Sequence, residues 1–297
     1  MPWPLPSLSR LRTLEAVCRS GSFSDAAQEL LLTQPAVSTQ IRQLEQEAGV
    51  LLVERVGKTA RATPAGERLI ACASRIIQDL DGTLQELAAL QGEVTGHILI
   101  GSGATATTYL LPAILAELER AHPRLEIGVV NGNTPDLAQR LVEASLDIAI
   151  LTAPLAEARL SQEPFILDRL VCIASVDDDP GLTPVRPRDL AGRRLILYER
   201  GGTIRNIIDA WLKGAAPRVL ELGTAEAQKS FVRAGFGWSI ISEMSVTQEV
   251  RQGSLRALPL APDLSRQLMT VWRRDRAANP AIAAVRQTLA DFAMRVG

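Results

Sequence analysis

Apolar residues near the start of the chain recur at helical spacing in three short blocks. Leu8, Leu11, Leu14, Ala16 and Val17 form the first stripe, and Gly21 stops it. Ser22 is placed to cap a second helix, with Asp25 three residues on in the manner of a capping box. Ala26, Ala27, Leu30 and Leu31 supply its buried face. A tight break at Leu32-Thr33 follows. Thr33 can cap a third helix, and Pro35 is tolerated in its first turn because that N–H would be unpaired anyway. Val37, Ile41, Leu44 and Ala48 then fall on one face before Gly49. Extended segments at Leu52 to Arg55 and Arg61 to Thr63, around Gly57-Lys58, predict a two-stranded wing.

From Ala65 to Leu90 one long amphipathic helix is expected, closed by Gln91-Gly92. Leu69, Ala73, Ile76, Leu80, Leu84 and Leu87 step by three or four residues, close to a heptad seam. Such a stripe pairs with a second helix or packs on the chain's own core. Gly82 weakens the helix by roughly 1 kcal/mol relative to Ala, which a paired helix can bear. Beyond it the pattern alternates. Strands are predicted at His97 to Gly101, Leu125 to Val130 and Asp147 to Leu151, with helices from Leu110 to Arg120 and Pro135 to Glu143 between them. This rhythm requires right-handed crossovers and a parallel sheet. A second α/β set runs from Leu170 to Ser242, and the chain returns through a strand at Leu268 to Arg273 and a helix from Pro280 to Val296.

At 297 residues the chain exceeds one comfortable core, so two or more domains are expected. A hydrophobic fraction of 46% with 22% charged residues excludes wholesale disorder. The formal charge of −1 argues against a uniformly basic nucleic-acid coat. Residues 1–66 hold seven Lys and Arg against six acids, so any cationic surface there is a matter of placement. Few phosphates would be neutralised per protomer, which predicts a shallow salt dependence per subunit. Three scattered cysteines imply no disulfide framework and fit a reducing cytoplasm, and two histidines give no zinc spacing. Met1 to Pro6 do not read as a secretory signal, and no apolar run approaches the roughly 18 residues that span a bilayer.

The face of the third helix opposite its apolar stripe carries Gln34, Ser38 and Arg42, with Thr39 and Gln43 beside them. Gln, Ser, Thr and Arg read base edges and phosphates in a major groove, and a plain solvated face would normally hold Lys and Glu. Alone, the stripe fits a groove reader and a merely polar surface equally. Its context favours the reader: two helices joined by a short turn, then a wing carrying Arg55, Lys58 and Arg61. In the second half three loops follow strands and precede helices: Gly101 to Thr105, Asn131 to Thr134, and Arg200 to Thr203. Their small, hydroxyl and amide residues suit a small anion such as a carboxylate. Gly101-x-Gly103 lacks the third glycine of a dinucleotide fingerprint, since Ala106 stands there. No triad, paired carboxylates or P-loop stands out, which fits a sensor better than an enzyme.

Phe23-Ser24-Asp25-Ala26-Ala27-Gln28-Glu29-Leu30, the run from Thr33 to Glu45, and Thr63-Pro64-Ala65-Gly66 resemble the LysR-type transcriptional regulators. Looser likenesses continue through Gly96 to Gly101, Leu111-Pro112, Leu146 to Ile150 and Ala234 to Gly237, so the resemblance spans the chain. It implies an α+β multidomain protein: a winged helix-turn-helix DNA-binding domain (1–65), a linker dimerisation helix (66–92) and a two-lobed α/β effector-binding domain of periplasmic-binding-protein type (93–297). Lobe I would comprise 93–163 and 269–297, and lobe II 164–268. Promoter DNA, a small anionic effector and further copies of the chain, as dimer or tetramer, are the implied partners; no membrane and no cofactor are.

The residues expected at DNA are Gln34, Pro35, Ser38, Thr39, Arg42, Arg55, Lys58 and Arg61. Those expected at the effector are Ser102, Gly103, Thr105, Asn133, Thr134, Thr203 and Thr224. Thr39 stands where the family often has Arg, His or Lys, and Val53 where the wing often has Phe. The first can remove a base or phosphate contact, and the second leaves a smaller wing core. Two rivals remain. An oxidoreductase with a helical appendage would bind nucleotide at Gly101 to Thr105, and a solute-binding module would carry an export signal and no helix-turn-helix.

Overall fold

The computed structural model of the protein describes residues 6–57, 59–90, 93–178, 181 and 183–296. The expectations at Met1 to Leu5, at Lys58 and at Gln91-Gly92 lie outside them. Contacts gather the chain into two units, Met1–Leu84 with Glu143–Ser145, and Gln85–Val142 with Leu146–Gly297.

The first unit holds α1 (Leu8–Ser20), α2 (Phe23–Glu29), α3 (Gln34–Ala48), β1 (Val53–Val56), β2 (Thr59–Ala62) and most of α4 (Pro64–Ala89). The stops and caps act as their residue types require. Gly21 and Gly49 take left-handed φ values of 69° and 67° at the ends of α1 and α3. The Ser22 and Thr33 hydroxyls accept from the backbone N–H of Asp25 and Ala36. Leu14, Val17, Ala26, Val37, Ile41, Leu44 and Leu52 close one small core.

One expected core residue is not there. Leu31 is 93% exposed with φ 55°. The helix α2 ends at Glu29, and the turn needs a left-handed residue at position 31, which swings that side chain out of the buried face. A branched side chain in that region costs of order 1–3 kcal/mol. The wing hairpin pairs Val53 with Ala62 and Val56 with Thr59, and α4 begins against it. A Cβ on Gly66 would lie 2.1 Å from the Leu52 carbonyl oxygen, so only glycine lets the first turn of α4 sit this close to the wing.

The second unit contains β3 (Gly96–Ser102), α5 (Ala104–Tyr109), α6 (Leu111–Ala121), β4 (Leu125–Asn131), α7 (Thr134–Val142) and β5 (Ile148–Thr152). It continues with β6 (Leu160–Ser175), β7 (Arg194–Leu197), α8 (Thr203–Trp211), β8 (Arg218–Glu221), α9 (Ala225–Arg233) and β9 (Trp238–Ser242). Then come α10 (Thr247–Arg251), β10 (Leu255–Leu258), β11 (Leu264–Arg273) and α11 (Pro280–Val296). The strand order is β4-β3-β5-β11-β6-β9-β7-β8, with β10 on β6. β3 pairs in parallel with β4 and β5, as the βαβαβ rhythm requires, and β7 does so with β8 and β9.

Two lobes form around separate cores, one with Ile98, Ile100, Leu118 and Ile148, the other with Ile173, Leu195, Ile196 and Trp238. Two antiparallel strands serve both. β6 gives Phe165 to the first core and Leu170 to Ala174 to the second. β11 gives Leu268 and Trp272 to the first and Leu264 to the second. These strands are longer than the sequence pattern predicts, starting at Leu160 and Leu264 rather than Leu170 and Leu268. Their first halves carry Glu163, Pro164, Asp168, Arg169, Ser265 and Arg266, which break the apolar run while the backbones still pair. A Gly66→Ala substitution is expected to destabilise the first unit by roughly 1–3 kcal/mol through overpacking. Urea unfolding followed by circular dichroism measures it, and wild-type stability would contradict the close approach described.

Candidate nucleic-acid interface and ligand cleft

The polar face of α3 is built by subtraction. Its apolar stripe is buried, and each acid is turned elsewhere. The Glu45 carboxylate accepts from the Leu52 and Val53 N–H groups at 2.9 and 3.2 Å, holding the wing, while Glu47 pairs with Arg10. The carboxylates of α3 are therefore withdrawn from the face that carries Gln34, Pro35, Thr39, Arg42 and Gln43, all exposed, with Ser38 half-buried among them. Gln34 donates to the Ser38 hydroxyl at 3.0 Å. The structure thus brings the expected α3 residues onto one face free of repulsive charge. On the wing Arg55 and Arg61 are exposed, Arg55 lying over the Phe23 ring at 6.0 Å. Such a convex polar face beside a cationic hairpin can enter a groove and meet phosphates.

The second unit holds a cleft of about 500 Å³ between its lobes, within the usual range of small-molecule sites. Its walls are the first turn of α5, the 131–134 loop, Thr152 at the end of β5, the segment from Tyr198 to Ile204, Gly223-Thr224, and Arg266 and Leu268 of β11. Gly103, Thr105, Asn133, Thr134, Thr203 and Thr224 all line it. Ser102 does not. It is fully buried on β3, its hydroxyl 2.6 Å from that of Thr107.

Several lining residues are already engaged. Asn133 caps α7 by accepting from the Asp136 N–H and donating to its carboxylate, Thr134 accepts from the Thr152 N–H, and Thr224 caps α9. By contrast α5 and α8 begin at Gly103 and Gly202, which have no side chain to cap them. Both helix starts line the cleft without a side-chain cap, which leaves their first backbone N–H groups to other partners. Gly101 serves packing instead. A Cβ there would lie 2.6 Å from Leu146 Cδ2 and 3.1 Å from Leu137 Cδ2, so core packing alone favours a glycine at this position.

Two functional candidates carry no local sequence signal. Arg266 reaches the cleft while its Nε donates to the buried Asp168 carboxylate at 2.7 Å, which also accepts from the Ser242 hydroxyl at 2.6 Å. These partners are 98 and 74 residues distant from Asp168, so only the pairing of β6 with β11 and β9 assembles them. Tyr198 lines the cleft with its ring buried beside Thr105, and no hydrogen bond of normal geometry reaches its hydroxyl among the described residues. Burial pushes the phenol up to about 12, so it stays a neutral donor.

Comparison with known proteins gives a consistent result. Residues 8–67 match the family described as "Bacterial regulatory helix-turn-helix protein, lysR family", and residues 91–293 match "LysR substrate binding domain". The chain is 33% identical to the HTH-type transcriptional regulator CbbR of Xanthobacter flavus, over 98% of this chain and 88% of that one. Its fold is similar to a full-length OxyR variant from Pseudomonas aeruginosa, with TM-score 0.78, 24% identity and 99% and 96% of the two chains covered. It is also similar to full-length CbnR complexed with its target DNA, with TM-score 0.69, 19% identity and coverage of 97% and 100%.

Removing the Tyr198 hydroxyl deletes a buried polar atom that makes no hydrogen bond of normal geometry among the described residues. Tyr198→Phe is therefore expected to keep or raise the melting temperature of the ligand-free protein. Differential scanning calorimetry measures it, and a clear drop would show that the hydroxyl is bonded in the resting state.

Proposed function

The chain belongs to the LysR family of bacterial regulatory helix-turn-helix proteins, and on that premise we propose how its residues divide the work of a DNA-binding, effector-responsive transcriptional regulator. The division places a DNA-binding domain at 1–65, a dimerising linker at 66–92 and an effector domain at 93–297, with lobe I at 93–163 plus 269–297 and lobe II at 164–268. Gln34, Pro35, Ser38, Thr39 and Arg42 face the major groove, and Arg55, Lys58 and Arg61 meet phosphate or the minor groove. The observation that carries this reading is the exposed face of α3, from which both Glu45 and Glu47 are drawn away.

A small anionic metabolite occupies the cleft, its negative oxygen at the uncapped starts of α5 and α8, with Thr105, Thr203 and the Tyr198 hydroxyl as further donors. Ser102 supports this site from beneath β3's end and does not touch the ligand. The protein acts by binding and not by catalysis, and it works in the cytoplasm; no helix among the described residues is long and apolar enough to cross a membrane. Pairing through α4 supplies the two-fold that a half-site reader uses.

Two outcomes test the assignment. Arg42→Ala is expected to weaken binding to DNA from upstream of the protein's own coding sequence by roughly 5- to 150-fold, the worth of about 1–3 kcal/mol for a good base or phosphate contact. Fluorescence anisotropy measures it alongside an unchanged melting temperature, and wild-type affinity would remove Arg42 from the interface. In a thermal-shift screen of small carboxylates and phosphates, any compound that stabilises the wild type should fail on Thr203→Trp, which fills the cleft. Equal stabilisation of both proteins would move the ligand elsewhere.

A further inference from the structure

Helix α5 does two things within six residues. Its first turn, from Gly103 to Ala106, lines the cleft on the lobe I side, and its last residue, Tyr109, reaches lobe II. There the Tyr109 hydroxyl donates to the Glu226 carboxylate in the first turn of α9 and accepts from Lys229 Nζ at 3.2 Å. The Lys229 ammonium also lies 5.5 Å from the Tyr109 ring centroid. Helix α9 has the same double role, since its N-cap Thr224 lines the cleft. Beside this contact Met244 of lobe II packs on the lobe I core.

The cation at the centre is a buried one. The Lys229 side chain is 4% exposed, yet it bonds Glu249 Oε1 at 2.6 Å, Glu226 Oε1 at 2.7 Å and the Ser245 carbonyl at 2.8 Å. Burial alone would lower its pKa, but the bonds to Glu226, Glu249 and Tyr109 outweigh this and raise it. All three lobe II partners stay with Lys229 if the lobes part. Only Tyr109 is lost, and no buried charge is then stranded, so the contact can open without the large cost of breaking a buried ion pair.

We propose that Tyr109 is a releasable clasp between the lobes, a positioning residue that fixes how far α5 and α9 stand apart across the cleft. Closed, the clasp holds the starts of both helices at the spacing a small ligand meets. Open, it frees α5 to move with lobe I. The regulatory consequence rests on the effector reading above, whereas the clasp itself is a property of the ligand-free chain.

Hydrogen–deuterium exchange on the full-length protein without any ligand tests it. Tyr109→Phe, which removes only the hydroxyl, is expected to speed exchange in peptides covering 103–109 and 224–233 by roughly five- to tenfold, the effect of losing one hydrogen bond. Peptides from α3 and α6 should be unchanged. Glu226→Gln, which keeps an acceptor oxygen opposite Tyr109, should exchange close to wild type in 103–109, and Glu226→Ala, which also removes an ion pair of Lys229 within α9, should speed exchange in 103–109 as Tyr109→Phe does. Wild-type exchange in both Tyr109→Phe and Glu226→Ala would overturn the clasp. Failure of the effector reading shows separately, as equal ligand stabilisation of wild type and Thr203→Trp.

Discussion

The apolar stripe along α4 is the constraint on which the rest of this protein depends. Ile76, Leu80, Leu84 and Leu87 are between 45% and 56% exposed, all on one side of a 26-residue helix. Burying such a side chain fully is worth about 1.5–3 kcal/mol, so four half-exposed ones are a standing drive towards association. Within the first unit the helix's other residues, Leu69, Ile70 and Ala73, are already committed to the small core. A second copy of the same helix offers a surface of matching spacing and chemistry, and self-pairing through α4 is the cover we propose for it.

That pairing makes sense of a weakly charged DNA-binding surface. Residues 1–66 carry nearly as many acids as bases, and three of those acids are engaged, Glu29 with Arg19 at the surface, Glu47 with Arg10 and Glu45 on the wing. The exposed surface then carries the short polar face of α3 and the wing arginines, with Asp25 and Glu54 also exposed. One copy neutralises few phosphates, and two copies held at a fixed spacing double the count and add sequence information from a second half-site. In the second unit the same economy of parts recurs. Two strands, β6 and β11, join the lobes, and the Asp168–Arg266 pair ties one to the other at the cleft wall. The Tyr109 contact is a second tie between the lobes, made by helices instead of strands.

Much of this was legible in the sequence because the signals are local. The stops at Gly21 and Gly49, the caps at Ser22 and Thr33 and the i, i+4, i+7 stripe of α3 each depend on residues within one or two turns. The three loops from Gly101, Asn131 and Arg200 do line the cleft for the same reason: each is a strand end followed by a helix start. What escaped was non-local. The early halves of β6 and β11 look polar because they pair with each other more than they pack. Asp168, Ser242 and Arg266 meet only once the sheet is assembled, and Tyr109 finds Glu226 across 117 residues. Leu31 misled for the opposite reason, since its composition fits the buried face and only the backbone turn sends it outward. Ser102 lies one residue before the loop that forms the wall, close enough in sequence to be taken for part of it.

The central claim, that α4 pairs two copies and that DNA reading depends on the pair, is tested most directly by measuring mass and DNA affinity on the same samples. Sedimentation equilibrium of the full-length protein should give a multiple of the 32.1 kDa chain mass, and Leu80→Glu with Leu84→Glu should give that single-chain mass. Losing the second half-site should lower affinity for upstream DNA by roughly a hundredfold or more, since each half contributes several kcal/mol. A double variant that kept the wild-type mass and affinity would contradict the account, and the paired surface would then lie elsewhere on the chain.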